Sequence, residues 1–362
     1  MGPRVAIVYN KPETSRFGVL NEILAVMGVL DAVHAVQQAL TELDYNVVLL
    51  PLAPPAEEIK KKLTALNASI IFNLFEGFDD CSETEALLPE CAEELGIPYT
   101  GCPGKALRLA LDKARAKQML KSADIRTPDF QVLTPDTISI FKLNYPCIVK
   151  PRSEDASHGL SEASVVTDET TLMKQVEFIS HYYGGDALVE EFVDGREFNS
   201  TGMGNYEPVV LPISEIVYTL PEDLPRILTF AAKWEEKSTY FKGTNAVCPA
   251  KITAAQKRRI TQIVSDTFKL FNCRGYARVD LRMDKKGDFH VIEINPNPDI
   301  TPGMGTARHA AAGGMTYNEF IEKIIRLALE RTNEYSQYST YASSRQNSND
   351  DNFAVYARIP TK

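Results

Sequence analysis

Short apolar runs alternate along the chain with apolar residues spaced for helices. RVAIVY (4–9), NVVLL (46–50) and SIIFNLF (69–75) read as strands, while 29–43, 57–66 and 83–95 carry apolar residues three and four apart. Gly96 follows the last of these where a left-handed C-cap is expected. Strand and helix in alternation predict a parallel α/β domain over residues 1–101. A helix over 105–121 leads into a central domain, 102–194, with strands DFQVL and CIVKP, a helix over 172–179 and the strand ALVEEF. A third domain, 195–332, holds EFNSTGM, VVLPISEIV, a stretch over 233–249 expected to be mobile, a helix over 254–270, two alternating runs around KKGD and a closing helix over 316–329. The expected fold class is mixed α/β, with a parallel N-terminal layer and an antiparallel C-terminal sheet. Residues 333–362 are polar and of low complexity, too poor in apolar surface to offset the entropy of ordering, so a disordered tail is expected, with FAVYARIP as a docked end.

Net charge changes this picture by exclusion. At -9 over 362 residues the chain is a poor candidate for binding nucleic acid or an anionic membrane surface, which leaves small molecules as the expected partners. The most apolar long stretch, ILAVMGVLDAVHAV, is interrupted by Asp31 and His34 and predicts a packed helix, not a membrane span. Six cysteines without a C-x-x-C pair, and an N-terminus that enters a strand directly, point to reduced thiols and a cytoplasmic protein. YNKPETSRFG after the first strand lacks the G-x-G-x-x-G of a dinucleotide site.

The chemistry concentrates in ARVDLRMDKKGDFHVIEINPN. If Lys285 to Asp288 form a four-residue loop, the constant index sum of an antiparallel ladder sets Asp284 against Phe289, Asp280 against Glu293 and Arg278 against Asn295. Val291, Glu293 and Asn295 then share one face, and Ile292 and Ile294 the other. Two facing carboxylates about 5 Å apart repel unless a cation lies between them. Oxygen donors from Asp280, Glu293 and Asn295, with neither thiolate nor imidazole, suit Mg²⁺ or Mn²⁺, whose usual companion is a nucleoside triphosphate. A solvated hairpin face and a glycosidase-like acid pair are the alternatives. Lys150 ends a buried strand beside a loop of small residues containing Gly159, where backbone N–H groups can cradle phosphate. The backbone of 191–193 is a candidate to pair with an adenine edge and Glu190 or Glu197 with ribose hydroxyls, solvated strand-end acids being the alternative.

In combination, DK, IVKP, the small-residue loop, LVEEF with GREF, AAKW, CPAKI, ARVDL and EINPNP resemble the ATP-grasp superfamily and, within it, the D-alanine:D-alanine ligase-like carboxylate–amine ligases. FNLFEG and LGIPYTG extend the likeness over nearly the whole chain except the tail. The resemblance implies an ATP-grasp fold in which Lys113, Lys150, Ser157 and Gly159 meet the ATP phosphates and Glu190, Phe192, Val193 and Glu197 meet adenosine. It also implies Lys233 near the γ-phosphate, Asp280, Glu293 and Asn295 on two magnesium ions, Arg278 at the oxyanion, and lid loops at 154–161 and 235–246. A homodimer is the usual state of that group. Departures fall on the amino-acid side. Ala156 and Ser157 stand where paired serines are usual, Met304 stands at a serine position in an ungapped reading, and Phe75, Glu76 and Gly77 replace a histidine–glycine motif. Glu22 or Glu76 is the candidate for the first substrate's amine. The expected function is ligation of amino acids other than D-alanine; D-alanine ligation and a non-catalytic ATP-binding module remain as alternatives.

Overall fold

The computed structural model describes residues 2–11, 22–78, 81–153, 157 and 159–346, the side chains of 22–27 and 332–346 excepted. β1 (Arg4–Asn10), α1 (Glu22–Glu42), β2 (Asn46–Leu52), α2 (Glu58–Ala65), β3 (Ile70–Leu74) and α3 (Leu87–Leu95) build a parallel sheet in the order β2-β1-β3. Successive residues of β1 serve opposite layers. Val5 and Ile7 pack with Val33, Val36 and Leu40 of α1, whereas Ala6 and Val8 pack with Ile59, Leu63 and Leu88 of α2 and α3. Covering both faces is what makes parallel strands read as continuous apolar runs. Gly96 closes α3 at φ 65°, as its place in the sequence predicts.

The single helix expected over 105–121 is two, α4 (Gly104–Leu111) and α5 (Lys113–Ser122). Asp112 breaks them: its backbone leaves the helical region and its carboxylate accepts the Arg115 N–H as the N-cap of α5. Both helices bury Ala106, Ala110, Ala116 and Leu120 in one cluster with Phe268, Val279 and Leu281. They therefore pack with the C-terminal sheet, although the expected division at 102 assigned them to the central domain.

The central sheet holds β4 (Phe130–Leu133), β5 (Cys147–Pro151), β6 (Val165–Val166) and β7 (Ala187–Glu191) in the antiparallel order β4-β7-β5-β6, backed by α6 (Glu169–Tyr183). β8 (Arg196–Gly204), β9 (Val209–Val210) and β10 (Ser214–Tyr218) follow. The stretch expected to be mobile holds the end of α7 (Phe230–Trp234) and all of α8 (Thr239–Gly243) and β11 (Thr244–Val247). Thr229 and Ser238 cap the two short helices with side-chain oxygens, local signals that the composition of this stretch obscures. After α9 (Ala254–Leu270), β12 (Gly275–Met283) and β13 (Phe289–Asn295) complete the sheet β11-β10-β8-β12-β13, with β9 beside β8 and every pairing antiparallel.

α10 (Gly305–Ala312) and α11 (Tyr317–Gln346) end the described chain. The apolar stripe of α11, Phe320, Ile321, Ile324, Ile325 and Ala328, packs with α1 and stops where expected. The helix itself runs 30 residues, past the expected end at 329 and the boundary at 333, because no Gly or Pro intervenes to terminate it. FAVYARIP lies outside the described residues. Among those residues no helix is long and apolar enough to cross a membrane.

Gly195 enters β8 against the end of β12, where an added Cβ would lie 1.8 Å from the Met283 carbonyl oxygen. Gly195→Ala is expected to cost about 1–3 kcal/mol of stability, since the collision is with backbone and cannot be relieved by a rotamer. A urea-denaturation midpoint identical to wild type would contradict that contact.

Candidate active site

One wall of the cleft that gathers the predicted residues is the β8-β12-β13 face. Arg278 lies opposite Asn295, and Asp280 opposite Glu293, as the index sum predicts. A β-bulge between Asp280 and Leu281 then shifts the register, so Leu281 faces Val291 and Met283 faces Phe289. Asp284 is thus not the partner of Phe289; its N–H donates to the Asp288 carbonyl, and its own carbonyl accepts the Gly287 N–H. The bulge also corrects the expected faces. Val291 joins Ile294 in the core, whereas Ile292 and Glu293 both line the cleft, because a bulge turns two consecutive side chains to one side. On the other flank of β12, Thr201, Asn199 and Glu197 of β8 pair in register with Arg278, Asp280 and Arg282.

The facing wall comes from the central sheet and α5. In β5, Cys147 and Val149 enter the core while Ile148 and Lys150 line the cleft, and β7 places Glu190 beside Lys150. Asp112 caps α5 and also holds Arg152 through two hydrogen bonds of 2.9 and 2.7 Å. That fixes Lys113 at the start of the helix, aimed at β13. Overhead, the Phe230 N–H donates to the Leu160 carbonyl, joining the loop after β5 to α7, which carries Lys233. Gly159 has φ 74°, and a Cβ there would lie 3.0 Å from Pro151, so the fold of this loop depends on glycine. Residues 154–156 and 158 of the expected lid lie outside the described residues.

The ion pairs of the cleft each couple a predicted group to a neighbour of opposite sign. Arg278 clasps Asp280 at 2.7 and 2.9 Å, and Lys113 Nζ lies 3.0 Å from Glu293. The two facing acids are therefore neutralised by protein cations, which the sequence reading did not foresee. Burial raises the Glu293 carboxyl, but Lys113, Lys150 and Arg278 outweigh it and hold the group at about 2. Burial likewise opposes the charge on Glu190, yet Lys117 and Lys150, at 3.1 and 2.7 Å, keep it below the ordinary carboxylate range. Burial pushes Glu197 up, against the pull of Arg282 and the Tyr218 hydroxyl, which donates at 2.8 Å. With Glu293 so acidic and Asp280 clasped by a guanidinium, neither is placed as the proton donor of a glycosidase pair.

Lys113, Lys150, Ser157, Glu190, Phe192, Val193, Glu197, Lys233, Arg278, Asp280 and Glu293 thus line one cleft. Asn295 sits beside it with Oδ1 accepting the Asn297 N–H at 2.9 Å, and Gly159 supports it from the loop. Among the described residues no three His, Cys, Asp or Glu side chains gather as a metal cluster. Asp280, Glu293 and the second lone pair of Asn295 nonetheless form a hard-oxygen donor set of the kind Mg²⁺ accepts when phosphate and water fill its remaining positions. Glu76 and Met304 do not line the cleft. Glu76 is exposed, and Met304, 52% exposed, is the N-cap residue of α10, whose Gly305 abuts Arg278. Glu22 falls among residues whose side chains are not described. In the run expected to read adenine, the Glu191 and Phe192 N–H groups already donate to Asp129 and Pro146, which leaves the Val193 amide.

Four contributors were missed. Arg282 continues the alternation of 278 and 280, lies 4.9 Å over the Phe192 ring and pairs with Glu197 at 3.4 Å. Lys117 falls one helical turn after Lys113, a spacing that was legible. Ile292 was hidden by the bulge. Asn297 donates to the Phe75 carbonyl and to Glu85, a long-range tie between the β13 turn and the N-terminal domain that no local pattern announces.

A family model described as "D-ala D-ala ligase C-terminus" matches residues 119–326. The chain is 35% identical over 267 residues to Uncharacterized protein y4sG of Sinorhizobium fredii, covering 74% of this chain and 76% of that protein. It is 30% identical over 311 residues to the D-alanine–D-alanine ligase of Carboxydothermus hydrogenoformans, covering 82% and 92%. The structure of the D-alanine–D-alanine ligase from Bacillus anthracis complexed with ATP superposes with a TM-score of 0.70 at 20% identity, covering 92% of this chain and all of that one.

Glu293→Gln is expected to destabilise the metal-free protein at pH 7 by about 1–3 kcal/mol. It leaves the Lys113 ammonium, only 8% exposed, without its carboxylate, while the 31% exposure of Glu293 tempers the loss. Because the folded carboxyl is depressed, its stabilisation is present above the unfolded value of 4.5 and is lost as pH falls toward about 2. Thermal midpoints of the two proteins should therefore converge at acid pH; a constant difference down to pH 2 would contradict the ion pair.

Proposed function

Since the chain belongs to the D-alanine–D-alanine ligase family of ATP-grasp ligases, we propose that it joins a carboxylate to an amine with ATP, through an acyl phosphate, using amino acids other than D-alanine. The observation that carries this reading is the facing of two walls: Arg278, Asp280 and Glu293 on one, Lys113, Lys150 and Lys233 toward the other, around a single cleft. Ile148, Leu160, Phe192 and Ile292 offer an apolar slot for adenine, with Glu197 at its polar end for ribose.

A substrate carboxylate oxygen attacks the γ-phosphorus and ADP departs, while Lys150 and Lys233 neutralise the charge on the transferred group. Mg²⁺ held by Asp280, Glu293 and Asn295 would supply further charge neutralisation to the phosphoryl oxygens. The amine then adds to the activated carbonyl, Arg278 steadies the oxyanion, and the C–O bond to phosphate breaks as the amide forms and the amine proton is lost. No side-chain nucleophile takes part. On the substrate side, Met304, next to the Gly305 that abuts Arg278, offers a thioether where the resemblance implies a serine hydroxyl for a carboxylate, and this supports substrates other than D-alanine; Glu76, exposed outside the cleft lining, is the candidate for an ammonium group.

Phosphate release from Mg-ATP should depend on two added substrates when D- and L-amino acids are screened singly and in pairs. The expected result is turnover with a pair other than D-alanine with D-alanine. Turnover confined to D-alanine would overturn the substrate assignment, and tight ATP binding with no turnover on any pair would overturn the ligase reading.

A further inference from the structure

Lys117 has no part in the mechanism above, yet it is the most deeply placed cation near the cleft. Its side chain is 2% exposed, with Nζ 2.8 Å from Thr127 Oγ1 and 3.1 Å from Glu190 Oε2. The other oxygen of Glu190 lies 2.7 Å from Lys150 Nζ. Two ammonium groups thus share one buried carboxylate. The third nearby lysine, Lys113, is paired with Glu293 across the cleft.

The two partners of Glu190 differ in reach. Lys150 lines the cleft and is 12% exposed, whereas Lys117 lies behind the lining with Thr127 and Glu190 as its neighbours. Were Lys150 to turn toward a phosphate without a second cation in place, Glu190 would be left as an unpaired buried anion, a strongly unfavourable state. Keeping a lysine so deep has its own desolvation cost, so a role beyond filling space is called for.

We infer that Lys117 is a positioning residue that keeps Glu190 neutralised while Lys150 transfers its charge from that carboxylate to a nucleotide phosphate. The inference rests on the ATP reading above and adds a division of labour within it: Lys150 is the exchangeable partner and Lys117 the resident one. Without Lys117, Glu190 retains Lys150, and the phosphate loses a cation though Lys150 itself is unchanged.

A double-mutant cycle tests this, with Mg-ATP affinity measured by calorimetry and KM determined for ATP and for the amino substrates. Lys117→Met should weaken ATP binding about tenfold or more and leave the amino-substrate KM within about twofold, because a full charge is withdrawn from the phosphate alone. In a Glu190→Gln background the neutral amide needs neither lysine, so adding Lys117→Met should change ATP affinity by less than about threefold. An equal loss in both backgrounds would overturn the inference, as would a Lys117→Met protein of reduced thermal stability but wild-type ATP affinity. If the single variant does not fold, Glu190→Gln with and without Lys117→Met decides: a small difference supports the inference and a tenfold loss overturns it. A wild-type protein that does not bind Mg-ATP overturns the functional reading as well; wild-type binding with an unaffected Lys117→Met overturns this inference only.

Discussion

A charge removed from water must find a partner, and the cleft obeys that constraint throughout. Lys113, Lys117, Lys150, Arg278 and Arg282 stand against Glu190, Glu197, Asp280 and Glu293, each within ion-pair distance of at least one group of opposite sign. The Lys117–Glu190 pair also joins α5, which packs with the C-terminal sheet, to the central sheet. Apolar packing does the same overhead, where Ile227, Ala232 and Tyr240 form one cluster with Ile148, Val165 and Phe192. Removing one member of such a network costs more than the pair contributes, because the partner remains buried and charged.

The same network explains how a protein of net charge -9 can receive a polyphosphate. On the ATP reading, phosphate oxygens would take the place of these carboxylates on the cations, and a divalent ion would take the place of the cations on the carboxylates. Asp280 is the clearest instance. It is clasped by Arg278, and exchanging that guanidinium for a metal ion would free Arg278 for the developing oxyanion. On that reading charge would be rearranged on binding instead of being created.

Much of this was legible in the sequence because it rests on periodicity. The alternation of Arg278, Asp280 and Glu293, Asn295 fixed the hairpin rows, and Lys150, singled out at the end of a buried strand, lines the cleft. What escaped was set by features that period-2 and period-3.6 patterns do not encode. The bulge moved Val291 and Ile292 to faces opposite to those expected. The cap at Asp112 split one predicted helix and created the position from which Lys113 and Lys117 project. The Asn297 tie joins segments more than 200 residues apart, and such a contact has no local signature. Substrate-side roles such as those proposed for Glu76 and Met304 are least legible of all, since specificity depends on what faces a residue and not on its own strand or helix.

Capture of the nucleotide complex tests the central claim most directly: a crystal structure grown with Mn²⁺ and a non-hydrolysable ATP analogue, the metal located by its anomalous scattering. The account predicts the ion between Asp280 and Glu293, Lys150 drawn from Glu190 to a phosphate oxygen, and Arg278 released from Asp280 to face the open cleft. A nucleotide bound elsewhere, or bound here with the Arg278–Asp280 and Lys150–Glu190 pairs both intact, would contradict it.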